Sequence, residues 1–165
     1  MDFSEVYQRY VHDVHRFSLY LSGNYALAED LTSETFVHAF CGRRDLHVGT
    51  VKAYLLAIAR NLYRDFLDRQ RRMVPIAAMP ERVDPAPRPD QTAADRQTFA
   101  LVMQAMQALP ATQREALLLA ADKDLRQEQI AAILGCSVVA AKVRIHRARV
   151  ALKAQLNAQE QTWKT

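Results

Sequence analysis

Lys142, Arg144, His146, Arg147, Arg149 and Lys153 crowd one stretch near the C-terminus, and no acidic residue lies between Glu128 and Glu160. An uncompensated cationic run of this kind neutralises phosphates. Lysine and arginine also reach guanine O6 and N7 at a base edge. The residues just upstream suggest how the run is presented. Ile130, Ala131, Ile133 and Leu134 form an apolar stripe at helical spacing over 127–134. Gly135 can take the left-handed backbone that ends a helix. Ser137 can cap the next helix through its hydroxyl. From Val138 onward, Val139, Val143 and Val150 with Ala140, Ala141 and Ala148 are expected to face inward, while Lys142, Arg144, Arg147, Arg149 and Lys153 project outward. A basic helix after a glycine-containing turn suits the major groove of DNA. Lys142, His146 and Arg149 share one face, so some of these cations must hold phosphates, which position a helix without specifying sequence. Ile145 and Ala148 are expected in the core.

A second polar cluster lies earlier. Arg60, Asn61, Arg64, Asp65, Arg69, Arg71 and Arg72 gather toward the end of one helical stretch. Asn61 and Asp65 stand one turn apart, and asparagine offers both a donor and an acceptor. A third group, Glu29, Asp30, Ser33 and Glu34, forms the polar face of another helix, where early acids suit the helix dipole. His38 with Cys41, and His12 with His15, are spaced like metal ligands on a helix, but neither has a convincing second pair. No Ser-His-Asp grouping, glycine-rich phosphate loop or paired-carboxylate site stands out. Neither an enzyme nor a cofactor is expected.

These clusters need elements to hold them. The chain has 165 residues, half of them apolar, only four glycines and few β-branched runs, so an all-α protein is expected. The net charge is +4, but the distribution is uneven: residues 1–70 hold 8 Lys/Arg against 9 Asp/Glu, and residues 96–165 hold 10 against 5. Helices are expected over 3–21, buried through Phe3, Val6, Tyr7, Tyr10, Val14, Phe17 and Leu21, and over 25–40, buried through Ala28, Leu31, Thr35, Phe36 and Phe40. A third, over 51–72, buries Val51, Tyr54, Leu55, Ile58, Leu62 and Phe66. Asn24 and Thr50 are the expected caps. Residues 73–91 contain Pro75, Pro80, Pro85, Pro87 and Pro89, which reads as a flexible linker able to reach roughly 60 Å when extended. Beyond it, Phe99, Val102, Met103, Met106 and Leu109 form a helical stripe, Thr112 and Glu115 form a capping box, and 157–165 reads as a fraying tail. The reading is two small helical domains, 1–72 and 92–165, joined by the linker. Cys41 and Cys136 are too few for a disulfide framework, and no apolar run is long enough to span a bilayer, so a cytoplasmic protein is expected.

Three stretches in this order resemble the extracytoplasmic function (ECF) sigma factors of the sigma-70 family. Ala28-Glu29-Asp30-Leu31-Thr32-Ser33-Glu34-Thr35-Phe36 resembles the AEDLxQETF of region 2. Ala53-Tyr54-Leu55-Leu56-Ala57-Ile58-Ala59-Arg60-Asn61-Leu62-Tyr63-Arg64-Asp65 resembles AWLxxIARNLxxD in the helix that reads the −10 element. Leu109-Pro110-Ala111-Thr112-Gln113-Arg114-Glu115 and then Lys142 to Arg149 resemble LPxxxRE and KSRLxRAR of region 4. Ser33 stands in place of the motif's glutamine, Tyr54 of a tryptophan, Val139-Ala140 of a Gly-Thr pair and Val143 of a serine. Arg126 and Gln129 stand in place of a capping serine and glutamate.

The resemblance implies a factor that binds core RNA polymerase through its β and β′ subunits, directs it to promoter DNA and is held inactive by an anti-sigma factor, without membrane insertion. It places core-polymerase binding on Asp30, Leu31, Ser33, Glu34 and Phe36, with Leu31 and Phe36 holding the fold and the others facing outward. It places −10 DNA on Arg44, His47, Arg60, Asn61, Arg64, Asp65, Arg69, Arg71 and Arg72. It places −35 DNA on Val139, Ala140, Lys142, Val143, Arg144, His146, Arg147 and Arg149. The main rival is a stand-alone helix-turn-helix regulator of duplex DNA, which would have no use for the Ala28–Phe36 motif or a strand-opening helix. A helical protein-docking module is a further rival, against which the basic residues from Lys142 to Lys153 argue.

Overall fold

Caps and glycines cut the chain into helices, and they do so mostly where the sequence suggests. A computed structural model describes residues 2–42, 49–73 and 92–164, and among them every regular element is an α-helix. Two compact units result, Met1–Asp84 and Pro85–Thr165.

The first unit holds α1 (Phe3–Ser22), α2 (Tyr25–Cys41) and α3 (Val51–Met73). Asp2 and Glu5 cap α1 reciprocally: Glu5 N–H donates to Asp2 Oδ1 at 2.9 Å and Asp2 N–H to Glu5 Oε2 at 3.2 Å. Gly23 ends α1 at φ 66°. Asn24 Oδ1 then accepts from Leu27 N–H at 3.0 Å, and Thr50 Oγ1 accepts from Ala53 N–H at 3.2 Å, so both expected caps form. Val14, Phe17 and Leu21 of α1 meet Ala28, Leu31 and Phe36 of α2 and Leu55, Leu56 and Ile58 of α3 in the core. Thr32 and Thr35 lie on the buried side of α2, where their hydroxyls donate to the carbonyls of Ala28 and Leu31, each at 2.6 Å. This removes the cost of burying an unpaired hydroxyl.

Three aromatic residues expected in this core lie at its rim. Phe3, Tyr7 and Phe40 are 49%, 42% and 47% exposed. They satisfy one another instead: Phe40 meets Phe3 edge-on at 4.1 Å between centroids, and Tyr7 meets Phe36 at 4.9 Å. Val51, at the very start of α3, also stays exposed.

The second unit holds α4 (Ala93–Gln107), α5 (Ala111–Ala121), α6 (Gln127–Leu134) and α7 (Val138–Trp163). Thr92 and Asp95 cap α4 reciprocally. The capping box expected from Thr112 and Glu115 does not form. Pro110 is the cap residue, and its carbonyl accepts from both Gln113 and Arg114 N–H at 3.0 Å. The helix therefore begins before Thr112, and Glu115 turns inward until it is 1% exposed. The Arg114 guanidinium donates to the Leu109 carbonyl just before that proline. Met106, Leu109, Leu117 and Ala148 form the buried cluster that joins α4, α5 and α7, with Val102, Leu118, Ala151 and Leu152 around it.

The expected fraying tail is also overturned. The helix that carries the basic run continues to Trp163. It packs on α4. The proline-rich stretch lies outside the described residues, apart from Met73, which closes α3.

Candidate nucleic-acid interface

The chain bends by 88° between α6 and α7. Gly135 makes the bend with φ 68°, and its N–H and that of Cys136 return to the carbonyls of Ala132 and Ala131 at 3.2 and 3.0 Å. Ser137 Oγ accepts from Ala140 N–H at 3.1 Å, as its position suggested. At the start of α6, Gln129 Oε1 accepts from Arg126 N–H at 2.9 Å, so the glutamine supplies half of a capping box. This is a helix-turn-helix whose second helix starts free of acidic neighbours.

Ala141, Ile145 and Ala148 face the core from α7. Lys142, His146, Arg147 and Arg149 are exposed, while Ala140 and Arg144 are half-buried. The expectation that Val139, Val143 and Val150 face inward is wrong: they are 72%, 41% and 57% exposed. They lie on the side opposite Ala141, Ile145 and Ala148, and a single helix cannot bury both stripes against the same partners. Val139 and Val143 are thus at the surface, on the same arc as His146.

In the first unit, a cleft runs between the end of α2 and α3. His38, Gly42, Tyr54, Ile58, Asn61, Leu62 and Asp65 line it. Asn61 and Asp65, paired by sequence as base-reading residues, are thus brought to one concave surface. Tyr54 and His38 join them there. Sequence reasoning placed Tyr54 in the core and weighed His38 only as a metal ligand, yet Tyr54, Ile58, Asn61 and Asp65 follow one another at helical intervals. That spacing was the signal for a shared face. Among the described residues, no three His, Cys, Asp or Glu side chains converge as a metal would require.

Arg60, which the resemblance places among the −10 DNA residues, is not on the exposed face. It is 8% exposed, and its Nη1 donates to Asn61 Oδ1 at 3.2 Å. The physical reason is its register, since Ala53, Leu56, Ala57, Arg60 and Tyr63 fall on one buried stripe of α3. Arg60 therefore helps hold the Asn61 amide through that hydrogen bond. Arg64 is half-buried, and Arg69, Arg71 and Arg72 stay exposed along the last turns. Arg44 and His47 lie outside the described residues. On α2, Asp30, Ser33 and Glu34 are exposed, whereas Leu31 and Phe36 are 4% and 3% exposed and hold the fold. Val37, 60% exposed, continues the Asp30–Ser33–Glu34 face and was not anticipated.

Residues 6–73 match Sigma-70 region 2, and residues 99–152 match Sigma-70, region 4. The chain is 37% identical over 141 residues to the ECF RNA polymerase sigma factor EcfG of Rhodopseudomonas palustris, covering 85% of this chain and 77% of that protein. The chain belongs to the ECF RNA polymerase sigma factors. It is also 35% identical over 153 residues to the ECF RNA polymerase sigma factor SigE of Mycolicibacterium smegmatis, covering 90% of this chain but 59% of the length of that protein. The sigma factor RpoE of Bartonella quintana, solved with the anti-sigma factor NepR, shares the fold at a TM-score of 0.77 and 28% identity, covering 94% of this chain and 97% of that one. In this sigma factor, region 2 spans α1 to α3, with the cleft and the α2 face. Region 4 begins within α4 and includes the helix-turn-helix.

Proposed function

We propose that this sigma factor binds core RNA polymerase, directs it to promoters through −35 and −10 elements, and starts transcription in the cytoplasm. What supports this reading is that the two units carry two differently shaped polar surfaces, an exposed basic helix on one and a cleft lined by Asn61 and Asp65 on the other. A convex basic helix at a helix-turn-helix serves duplex DNA. A concave cleft beside a row of arginines serves a base removed from its stack. Extruding a base costs a few kcal/mol, which a housing cleft and cations along the single strand offset.

The functional division follows the units. Residues 1–72 bind polymerase, through the exposed Asp30, Ser33 and Glu34 on α2, and the −10 element, through Asn61 and Asp65 with Arg64, Arg69, Arg71 and Arg72. Residues 92–165 bind the −35 element through the N-terminal turns of α7. Residues 73–91 join them. Promoter DNA and the β and β′ subunits of polymerase are the working partners. An anti-sigma factor is the inhibitory one, by analogy with RpoE held by NepR. The factor supplies no bond-making chemistry and needs no cofactor, since polymerase performs the synthesis.

The test combines the full chain with bacterial core polymerase and fragmented chromosomal DNA from its source. Start sites that appear only when the factor is added are the expected result, and their upstream sequences align into −35 and −10 elements. Failure to bind polymerase, with duplex binding intact, refutes the reading and leaves a stand-alone helix-turn-helix regulator.

A further inference from the structure

The outward arc of α7 has an apolar centre. At about 100° per residue, Val139, Val143, His146 and Val150 fall within about 60° of one another. Lys142, Arg149 and Lys153 flank this strip on one side and Arg147 on the other. The strip is water-facing, with Val139 at 72% and Val143 at 41% exposure. Valine is a poor choice there on local grounds: its stiff side chain lowers helix propensity by about half a kcal/mol relative to alanine, and among the described residues neither valine is buried. Their use lies in what the flanking cations bring close. A surface rimmed by cations is complementary to duplex DNA. Within the major groove, the apolar feature that distinguishes one base pair from the others is the thymine 5-methyl group.

We propose that Val139 and Val143 read thymine methyl groups in the −35 element. This rests on the reading of α7 as the −35 helix and adds the chemistry of its specificity. The two valines are separated by one turn, about 6 Å along the axis. Successive base pairs rise by about 3.4 Å, so the pair addresses A·T steps about two base pairs apart. Lys142, His146 and Arg147 lie to either side, within reach of phosphates or guanine edges. Val150 is about 16 Å from Val139 along the helix. Base readout belongs to the N-terminal turns of a recognition helix, so Val150 takes no part.

The test uses the full chain with core polymerase on a promoter from the start-site mapping. Each thymine of the −35 element, on either strand, is replaced singly by deoxyuridine, which removes only the methyl. At two positions, about two steps apart, binding weakens about four-fold, the value of one buried methyl. In Val139→Ala the sensitivity to uracil vanishes at one of these positions, and in Val143→Ala at the other, as a coupled pair requires. Val150→Ala keeps both sensitivities. Both reading positions are exposed and alanine favours the helix, so these variants fold.

Neutral deoxyuridine at every position overturns the proposal, as does an element without A·T pairs. Sensitivity that persists in both alanine variants does the same. A loss of polymerase binding in Val139→Ala would overturn it in favour of a protein partner over the strip. These outcomes leave promoter-directed initiation standing. Absence of any footprint at −35 would instead remove the underlying reading, and the proposal with it.

Discussion

Replacing Gly135 by alanine isolates a single physical term in the helix-turn-helix. The glycine holds φ +68°, and a Cβ built there meets no atom within 4 Å. Steric crowding therefore contributes nothing, and the whole cost is backbone conformation. Holding an L-residue in the left-handed region costs about 1–2 kcal/mol. Against this, alanine restricts the unfolded chain, which returns about 0.4–1 kcal/mol. The difference is about 1 kcal/mol of lost stability in the second unit. For a domain of its size, that lowers the melting temperature by about 4–8 °C. Thermal unfolding followed through NMR signals of α5 to α7 reads this unit without contribution from the first. Gly135→Asn should lose about half as much, because asparagine tolerates the left-handed region. Gly135→Val should lose more than alanine, because its β-branch is the worst fit to positive φ. An asparagine variant as damaged as alanine would refute the conformational account, and so would a shift near zero for alanine.

Other perturbations separate the parts of the molecule. Gly42→Ala should fray the end of α2 for the opposite reason. Its φ of −93° suits any residue, but a Cβ would collide with the His38 carbonyl, so faster amide exchange from Val37 to Gly42 is expected. Leu21→Ala empties a fully buried site and should cost about 2–5 kcal/mol in the first unit, leaving the melting of α5 to α7 unchanged. Arg147→Ala should weaken duplex promoter binding by about 1–3 kcal/mol if it contacts a base. Asn61→Ala should spare closed-complex binding in gel shifts and impair strand opening, read by permanganate reactivity of unpaired thymines. Equal loss of both steps in both variants would abolish the division of labour between the units.

Much of this was legible in the sequence because caps and glycines are local signals. Asn24, Thr50, Gly135 and Ser137 act on their neighbours alone, and each performs as expected. The errors share a different cause. On α7, positions 139, 143 and 150 and positions 141, 145 and 148 both carry apolar residues at helical intervals. Alanine is too small to mark a face, so only the partner helices decide which stripe is buried. Thr112 and Glu115 have the right spacing for a cap, but Pro110 starts the helix earlier and its carbonyl takes the first bonds. Arg60 was read by its charge, whereas its register with Leu56 and Tyr63 fixed its burial. The end of α7 looked like a tail because α7 packs on α4, far away in the chain. The cleft lined by His38 and Asn61 needed two helices to be placed together, which no single-helix pattern encodes.

The partition of α7 into an inner and an outer face has a consequence for how such factors diverge. Ala141, Ile145 and Ala148 are buried and carry the packing, whereas Val139, Val143, His146 and Arg147 are exposed. If α7 reads the −35 element as proposed, substitutions on the outer face would change which DNA is favoured at little cost to folding. A duplicated copy would then acquire a new set of target promoters by a few single steps, each passing through a folded protein. The α2 face proposed to bind polymerase belongs to the other unit. On that assignment, wiring to new genes and retention of the shared machine would evolve on separate surfaces.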